Sequence, residues 1–298
     1  MKPAAFDYVR ADTIDEVVSV LAQNPGEARI LAGGQSLIPL LNMRLAAPTV
    51  LIDINRLRQL ATLAEEPGAS LATGCLVTQR SLEHYARAHP AWALLAAGLA
   101  HLGHPQTRNA GTVGGSLAHA DPAAELPLLL TILGGVLEAQ GPSGTRLIPS
   151  QEFFRFMYTT ALAPDELLLA VHWNRPPSAS GFGFHEVSGR HGDFALVAAA
   201  ALVTLDGSGR IDEARLAVAG PGPTPLLVNE ARMLHKTSGT PQDFAGLAEI
   251  VVEGLVPLDS LEAKAEFRAQ LTRVLIIRSL TDAWQMAQQK AEGEIRHD

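Results

Sequence analysis

Two glycine-bearing runs carry the residue types that can hold a ligand. Between Arg108 and Pro127 the chain reads RNAGTVGGSLAHADPAAELP. Small residues at Ala110, Gly111, Thr112, Gly114, Gly115 and Ser116 are followed there by two acids, Asp121 and Glu125, four apart. Glycine puts no Cβ in the path of a ligand and adopts positive φ freely, so this run reads as a loop whose N–H groups face phosphate or carbonyl oxygens. Upstream, Ala32-Gly33-Gly34-Gln35-Ser36 follows the apolar stretch Ala28 to Leu31 and precedes Leu37 to Leu45. Strand, glycine turn and helix start in that order offer free amides and a positive helix end to an anion. One glycine pair by itself marks a tight turn. Two such runs, with acids attached, suit the two ends of one long cofactor.

Neither run is a P-loop or an ordinary dinucleotide fingerprint, since G-x-x-x-x-G-K-[ST] and G-x-G-x-x-G are both missing from the 298 residues. The ten histidines invite a metal reading. His101 and His104 stand at i, i+3 without a carboxylate-histidine signature, so no metal is expected. His104 lies close enough in sequence to the second run to touch a ligand held there. No G-x-S-x-G occurs, which removes the commonest hydrolase signal. Asp121 and Glu125 read either as an acid/base pair or as the cap and first turn of a helix beginning at Pro122. The cap role still leaves Asp121 able to accept from ligand hydroxyls. The single Cys75 cannot form an internal disulfide, a cluster site or a zinc site, and reads as a small buried hydrophobe.

These residues need a scaffold, and 298 residues with 47% hydrophobic content can bury a core large enough for two domains. A net charge of −8 with no basic block argues against nucleic acid as partner. The first ten residues lack an apolar leader, and no run of some 18 apolar residues follows, so a cytoplasmic protein without a membrane span is expected. Thr13 to Glu16 fits a capping box ahead of a helix stopped at Asn24-Pro25-Gly26. Strand Ala28–Leu31, a Ser36–Ala46 helix and strand Val50–Asp53 complete a first α/β unit. Beyond it come strand Ser70–Thr73, helices at Ser81–Ala88, Trp92–Ala100 and Pro122–Leu133, a hairpin over Val136–Ile148 and strand Leu167–Trp173. Asn174 to Ser178 reads as a linker. Strands at Gly183–Val187, Phe194–Leu205 and Ile211–Val218 then precede helices at Phe244–Glu253, Leu261–Arg278 and Leu280–Ala291. The fold class is α+β, with a domain over residues 1–175, divided near 1–56 and 57–175, and a sheet-plus-helices domain over 178–298.

Ala32 to Leu37, Arg108 to Ser116, Ala120 to Pro127 and Gly192 to Ala195 together resemble the FAD-binding medium subunit of the xanthine dehydrogenase/carbon monoxide dehydrogenase family of molybdenum hydroxylases. The resemblance covers essentially the whole chain. It implies a two-part FAD-binding domain of the vanillyl-alcohol-oxidase (PCMH) type, followed by an antiparallel sheet with helices. It also implies a division of labour: a large partner subunit with molybdopterin, a small partner with two [2Fe–2S] clusters, and FAD in this chain passing electrons to an external acceptor. The expected assembly is a dimer of heterotrimers. The lone cysteine agrees, because this chain has no ligands for the clusters.

Carried onto this sequence, the resemblance places Leu31, Ala32, Gly33, Gly34, Gln35, Ser36 and Leu37 at the diphosphate. Ala110, Thr112, Gly114, Gly115 and Ser116 form the second pyrophosphate and ribityl contact. Asp121 and Glu125 supply flavin-binding acids, Leu168 packs on adenine, and Leu102 and His104 lie near the isoalloxazine. His185 occupies a position that is often Lys, and Asp193 ends the loop Gly189–Asp193 over one flavin face. Ser116 stands where Asn is frequent and Glu125 where Asp is common. FAD is expected between the first sixty residues and the Leu57–Arg175 segment. The alternatives are a stand-alone FAD oxidoreductase of the related fold and a non-catalytic nucleotide-binding module. The organic substrate and terminal acceptor are not legible in this chain.

Overall fold

The computed structural model describes residues 2–66 and 70–295. The chain opens with β1 (Asp7–Arg10), α1 (Ile14–Gln23), β2 (Ala28–Leu31), α2 (Leu37–Asn42) and β3 (Val50–Asp53). Then come β4 (Leu63–Glu65), β5 (Leu71–Gly74), α3 (Gln79–Ala88), α4 (Ala93–Leu99), α5 (Pro105–Ala110), α6 (Val113–His119) and α7 (Glu125–Leu133). The middle holds β6 (Gly135–Gly141), β7 (Gly144–Pro149), α8 (Ser150–Phe153), β8 (Phe154–Phe156), β9 (Thr159–Thr160) and β10 (Leu167–Trp173). The last part holds β11 (Gly181–Ser188), β12 (Ala195–Leu205), β13 (Ile211–Ala219), β14 (Leu226–Leu227), α9 (Pro241–Gly254) and α10 (Ala265–Ile295).

Two compact units result. The first comprises Met1–Tyr85, His104–Ala120 and Gly134–Asn174; the second comprises Ala86–Gly103, Asp121–Leu133 and Arg175–Asp298. In the first, β1, β3 and β2 make a parallel sheet with β3 central, and all four β3 residues are buried. A second sheet runs β4-β5-β10-β6-β7, with antiparallel pairing throughout. Of the capping box expected over Thr13–Glu16 one half forms, the Thr13 side chain accepting from the Glu16 amide, while the Glu16 carboxylate accepts from the Asp12 amide at 2.9 Å instead of from Thr13.

The second unit is built on the antiparallel sheet β11-β12-β13-β14. Its central strand β12 is alanine-rich because helices cover both of its faces. Val197, Ala199, Ala201 and Val203 join the core formed by α9 and α10, and α7 packs against β12 and β13 as well. Small side chains let the helices approach, and Ser279 of α10 donates to the buried Ala199 carbonyl at 3.0 Å.

The α+β architecture follows the sequence reading, and the main departures concern the second glycine run and the helices after it. The second glycine run is helical, forming α5 and α6, rather than an open loop. The helix expected from Pro122 begins at Glu125: Pro127 has no N–H for a partner four residues back, so the first turn must enclose it. The two expected C-terminal helices are one 31-residue helix, because Ser279, at their expected junction, bonds sideways to β12 and breaks nothing.

Candidate functional site

The first glycine run leaves β2 and turns into α2. Gly34 has φ +69°, the left-handed region, which lets successive amides converge on one side of the turn. Ile38 donates to the Gly34 carbonyl at 3.0 Å and so starts the helix. Among the described residues, the backbone amides of Gly34, Gln35, Ser36 and Leu37 donate to no protein group, and Ser36 begins α2 without a side-chain cap bond. This is a donor set suited to an anion of several oxygens.

Gly33 is glycine for a different reason. A Cβ there would stand 2.1 Å from the Ala110 carbonyl oxygen and 2.9 Å from Gly111 Cα, so the two motifs abut. The second run is anchored from below. Gln79 donates its amide to the Gly111 carbonyl at 2.8 Å, and Thr78 and Thr112 form an antiparallel bridge. Buried Arg108 donates its Nε to Glu83 at 2.9 Å, and Arg80 reaches the same oxygen at 3.1 Å. His104 occupies the cap position of α5, ahead of Pro105.

The amides of the second run are largely committed to the protein. Val113 donates to Val77 at 2.8 Å, Gly114 to Cys75 at 3.0 Å, and Gly115 to the Thr112 hydroxyl at 3.0 Å. Free donors are thus a property of the first run, while Gly114 serves close packing. A Cβ at Gly114 would lie 2.4 Å from that of Cys75. Cys75 itself is buried, and burial pushes its thiol up to about 12. Leu168 is buried in β10 opposite Ala139, beside a register shift between Leu168 and Ala170.

In the second unit, considered by itself, Leu102 is buried, and Asp121 accepts from the Ala123 amide at 2.9 Å. Glu125 is the first residue of α7 and is 3% exposed. His185 Nε2 lies 2.8 Å from Asp282 Oδ2 of α10, so this imidazole has a fixed carboxylate neighbour. Asp193 closes a turn, its amide donating to Arg190 at 3.1 Å. Sequence reasoning passed over Glu186, next to His185. Its Oε2 is buried with no hydrogen-bond partner among the described residues, and burial raises the carboxyl to about 7. It also passed over Asn55, whose side chain donates to the Ala32 carbonyl at 3.1 Å. The one available signal was the Asp53-x-Asn55 spacing of a side-chain turn. Among the described residues, no group of three or more His, Cys, Asp or Glu side chains forms a metal site.

Residues 4–173 match the FAD binding domain in molybdopterin dehydrogenase, and residues 182–283 match the CO dehydrogenase flavoprotein C-terminal domain. The chain belongs to the FAD-binding medium subunits of the molybdenum hydroxylases. Subunit alpha of the 6-hydroxypseudooxynicotine dehydrogenase complex of Paenarthrobacter nicotinovorans is 39% identical over 98% of this chain and 99% of its own length. The carbon monoxide dehydrogenase medium chain of Afipia carboxidovorans is 31% identical over 95% of this chain and 98% of its own. Among solved structures, quinoline 2-oxidoreductase from Pseudomonas putida 86 superposes with a TM-score of 0.90 at 35% identity, covering 96% of this chain and 99% of that one. CO dehydrogenase from Oligotropha carboxidovorans gives 0.92 at 30% identity, covering 96% and 100%. This medium subunit is accordingly the FAD-containing part of an oxidoreductase complex with large and small partner subunits. The first turn fits that cofactor, since a dinucleotide brings the diphosphate oxygens that four free amides require.

Proposed function

We propose that the first unit holds FAD non-covalently, with its diphosphate on Ala32–Leu37. Ala110, Thr112, Gly114, Gly115 and Ser116 line the neighbouring helix start, Leu168 offers an apolar surface for adenine, and His104 stands beside the flavin ring. The observation that carries this reading is the row of uncommitted amides from Gly34 to Leu37 beside a left-handed glycine. FAD held by these residues would supply the redox centre between a partner's iron–sulfur clusters and an external acceptor.

The cofactor domain of this reading spans residues 1–175, in parts near 1–56 and 57–175, and the second domain spans 178–298. The polar, proline-bearing stretch Asn174–Ser178 and the limits of the two matched families support that boundary. The assembly is a dimer of heterotrimers that works in the cytoplasm. No helix among the described residues is long and apolar enough to cross a membrane. Relatives named for 6-hydroxypseudooxynicotine, nicotine and caffeine make nitrogen heterocycles the first substrates to assay with the assembled complex.

The test is occupancy of the purified chain. Acid precipitation of the yellow protein releases FAD into the supernatant at about one per chain, and Gly34→Val abolishes that occupancy while the far-ultraviolet spectrum persists. Flavin retained in the pellet, FMN in the supernatant, or normal occupancy in the variant contradicts the reading.

A further inference from the structure

The first glycine turn is tied to the parallel sheet through its side chains as well as its backbone. Asn55 follows β3, and its Nδ2 group divides two donors between Ala32 O at 3.1 Å and Asp53 Oδ1 at 2.7 Å. Asp53 Oδ1 also accepts the Asn55 backbone amide at 2.8 Å, closing a side-chain turn that orients the carboxylate, while the Nδ2 bond to the same oxygen holds the Asn55 rotamer. The other carboxylate oxygen, Oδ2, accepts from the Tyr8 hydroxyl of β1. Asp53 is 9% exposed, whereas Tyr8 is 54% exposed and Asn55 is exposed. A buried carboxylate with three donors thus holds an exposed amide against a carbonyl two residues before Gly34.

No core packing depends on the Asn55 side chain, and the parallel pairing of β1, β2 and β3 is complete without it. What the contact does fix is the peptide entering the left-handed turn. We infer that Asn55, oriented by Asp53 and Tyr8, is a positioning residue that sets the conformation of the Ala32–Leu37 turn for the cofactor diphosphate. This rests on the cofactor reading proposed above. Four amides act together on one anion only when the turn that carries them holds a single conformation. The Asn55 contact therefore lowers the cost of adopting that conformation before the anion arrives.

The test titrates FAD into deflavinated full-length chain, following flavin fluorescence, for wild type, Asn55→Ala and Tyr8→Phe. The melting temperature of each chain without flavin is measured in parallel. Asn55→Ala is expected to raise the Kd about five- to tenfold, the equivalent of one net hydrogen bond. Tyr8→Phe is expected to raise it about twofold, and neither variant shifts the flavin-free melting temperature appreciably. A purely structural role would lower that temperature and leave the Kd in place; that result, or wild-type affinity in Asn55→Ala, overturns the inference. Should Asn55→Ala fail to fold, Tyr8→Phe decides: a raised Kd supports the inference and an unchanged Kd overturns it. Wild-type chain that binds no FAD overturns the cofactor reading itself and this inference with it. Wild-type binding with unaltered variants overturns this inference alone.

Discussion

Cys75 and Glu186 show how burial alone sets the chemistry of a single side chain. Burial pushes the Cys75 thiol up to about 12, which holds it in its protonated, weakly nucleophilic form through the neutral range. Native chain should therefore be inert to a thiol-specific chromogenic reagent at neutral pH and should react at one thiol per chain once denatured. Rapid labelling of the native chain would contradict this. Glu186 has an ordinary value of 4.5 when exposed and about 7 in the fold, so folding favours its neutral form. Its contribution is complete below pH 4.5 and is lost as the pH rises through 7. Glu186→Gln, which never ionises, should gain thermal stability relative to wild type across that interval. A difference that does not change with pH would show that Glu186 titrates normally. Glu186 carried no signal in the sequence, because burial is a property of the fold, and the Asp53-x-Asn55 spacing marks a side-chain turn without showing the carbonyl partner that gives Asn55 its role. Gly34 was legible as a left-handed turn residue. Gly114 read only as part of a ligand-facing run, whereas the fold needs glycine there because Cys75 is pressed against it.

At the scale of elements, α5 carries the Ala110 carbonyl against Gly33 and is itself held by the ion pair of Arg108 with Glu83. Both partners are almost wholly buried, with side-chain exposures of 8% and 1%. Truncating Glu83 withdraws the buried carboxylate that Arg108 and Arg80 share, and breaking a buried pair costs about 3–5 kcal/mol. Glu83→Ala should accordingly destabilise the chain by that order in reversible denaturant unfolding. A loss below about 1 kcal/mol would place the pair among ordinary surface bridges. The elements themselves were legible wherever period and caps agreed: Leu167–Trp173 and Val50–Asp53 come out as strands with the expected limits, and Thr13 caps α1. The failures have physical causes. α2 ends at Asn42 rather than Ala46 because Arg44 takes a left-handed φ of 59°, a stop that no glycine announced. The second run looked like a loop because glycines are poor helix formers, yet Thr112 caps α6 and tertiary packing outweighs that propensity.

For the whole molecule, a turn of uncommitted amides in a chain of the FAD-binding medium-subunit family describes a protein that holds a flavin within a larger redox complex. The central claim is that this chain relays electrons for its partners. The measurement that tests it most directly is a pair of anaerobic absorbance spectra, of the FAD-loaded chain alone and of the assembled complex, each recorded before and after adding the complex's organic substrate. The account predicts bleaching of the flavin bands in the complex and none in the isolated chain. Substrate-dependent bleaching of the isolated chain would contradict it, because this subunit would then oxidise the substrate itself.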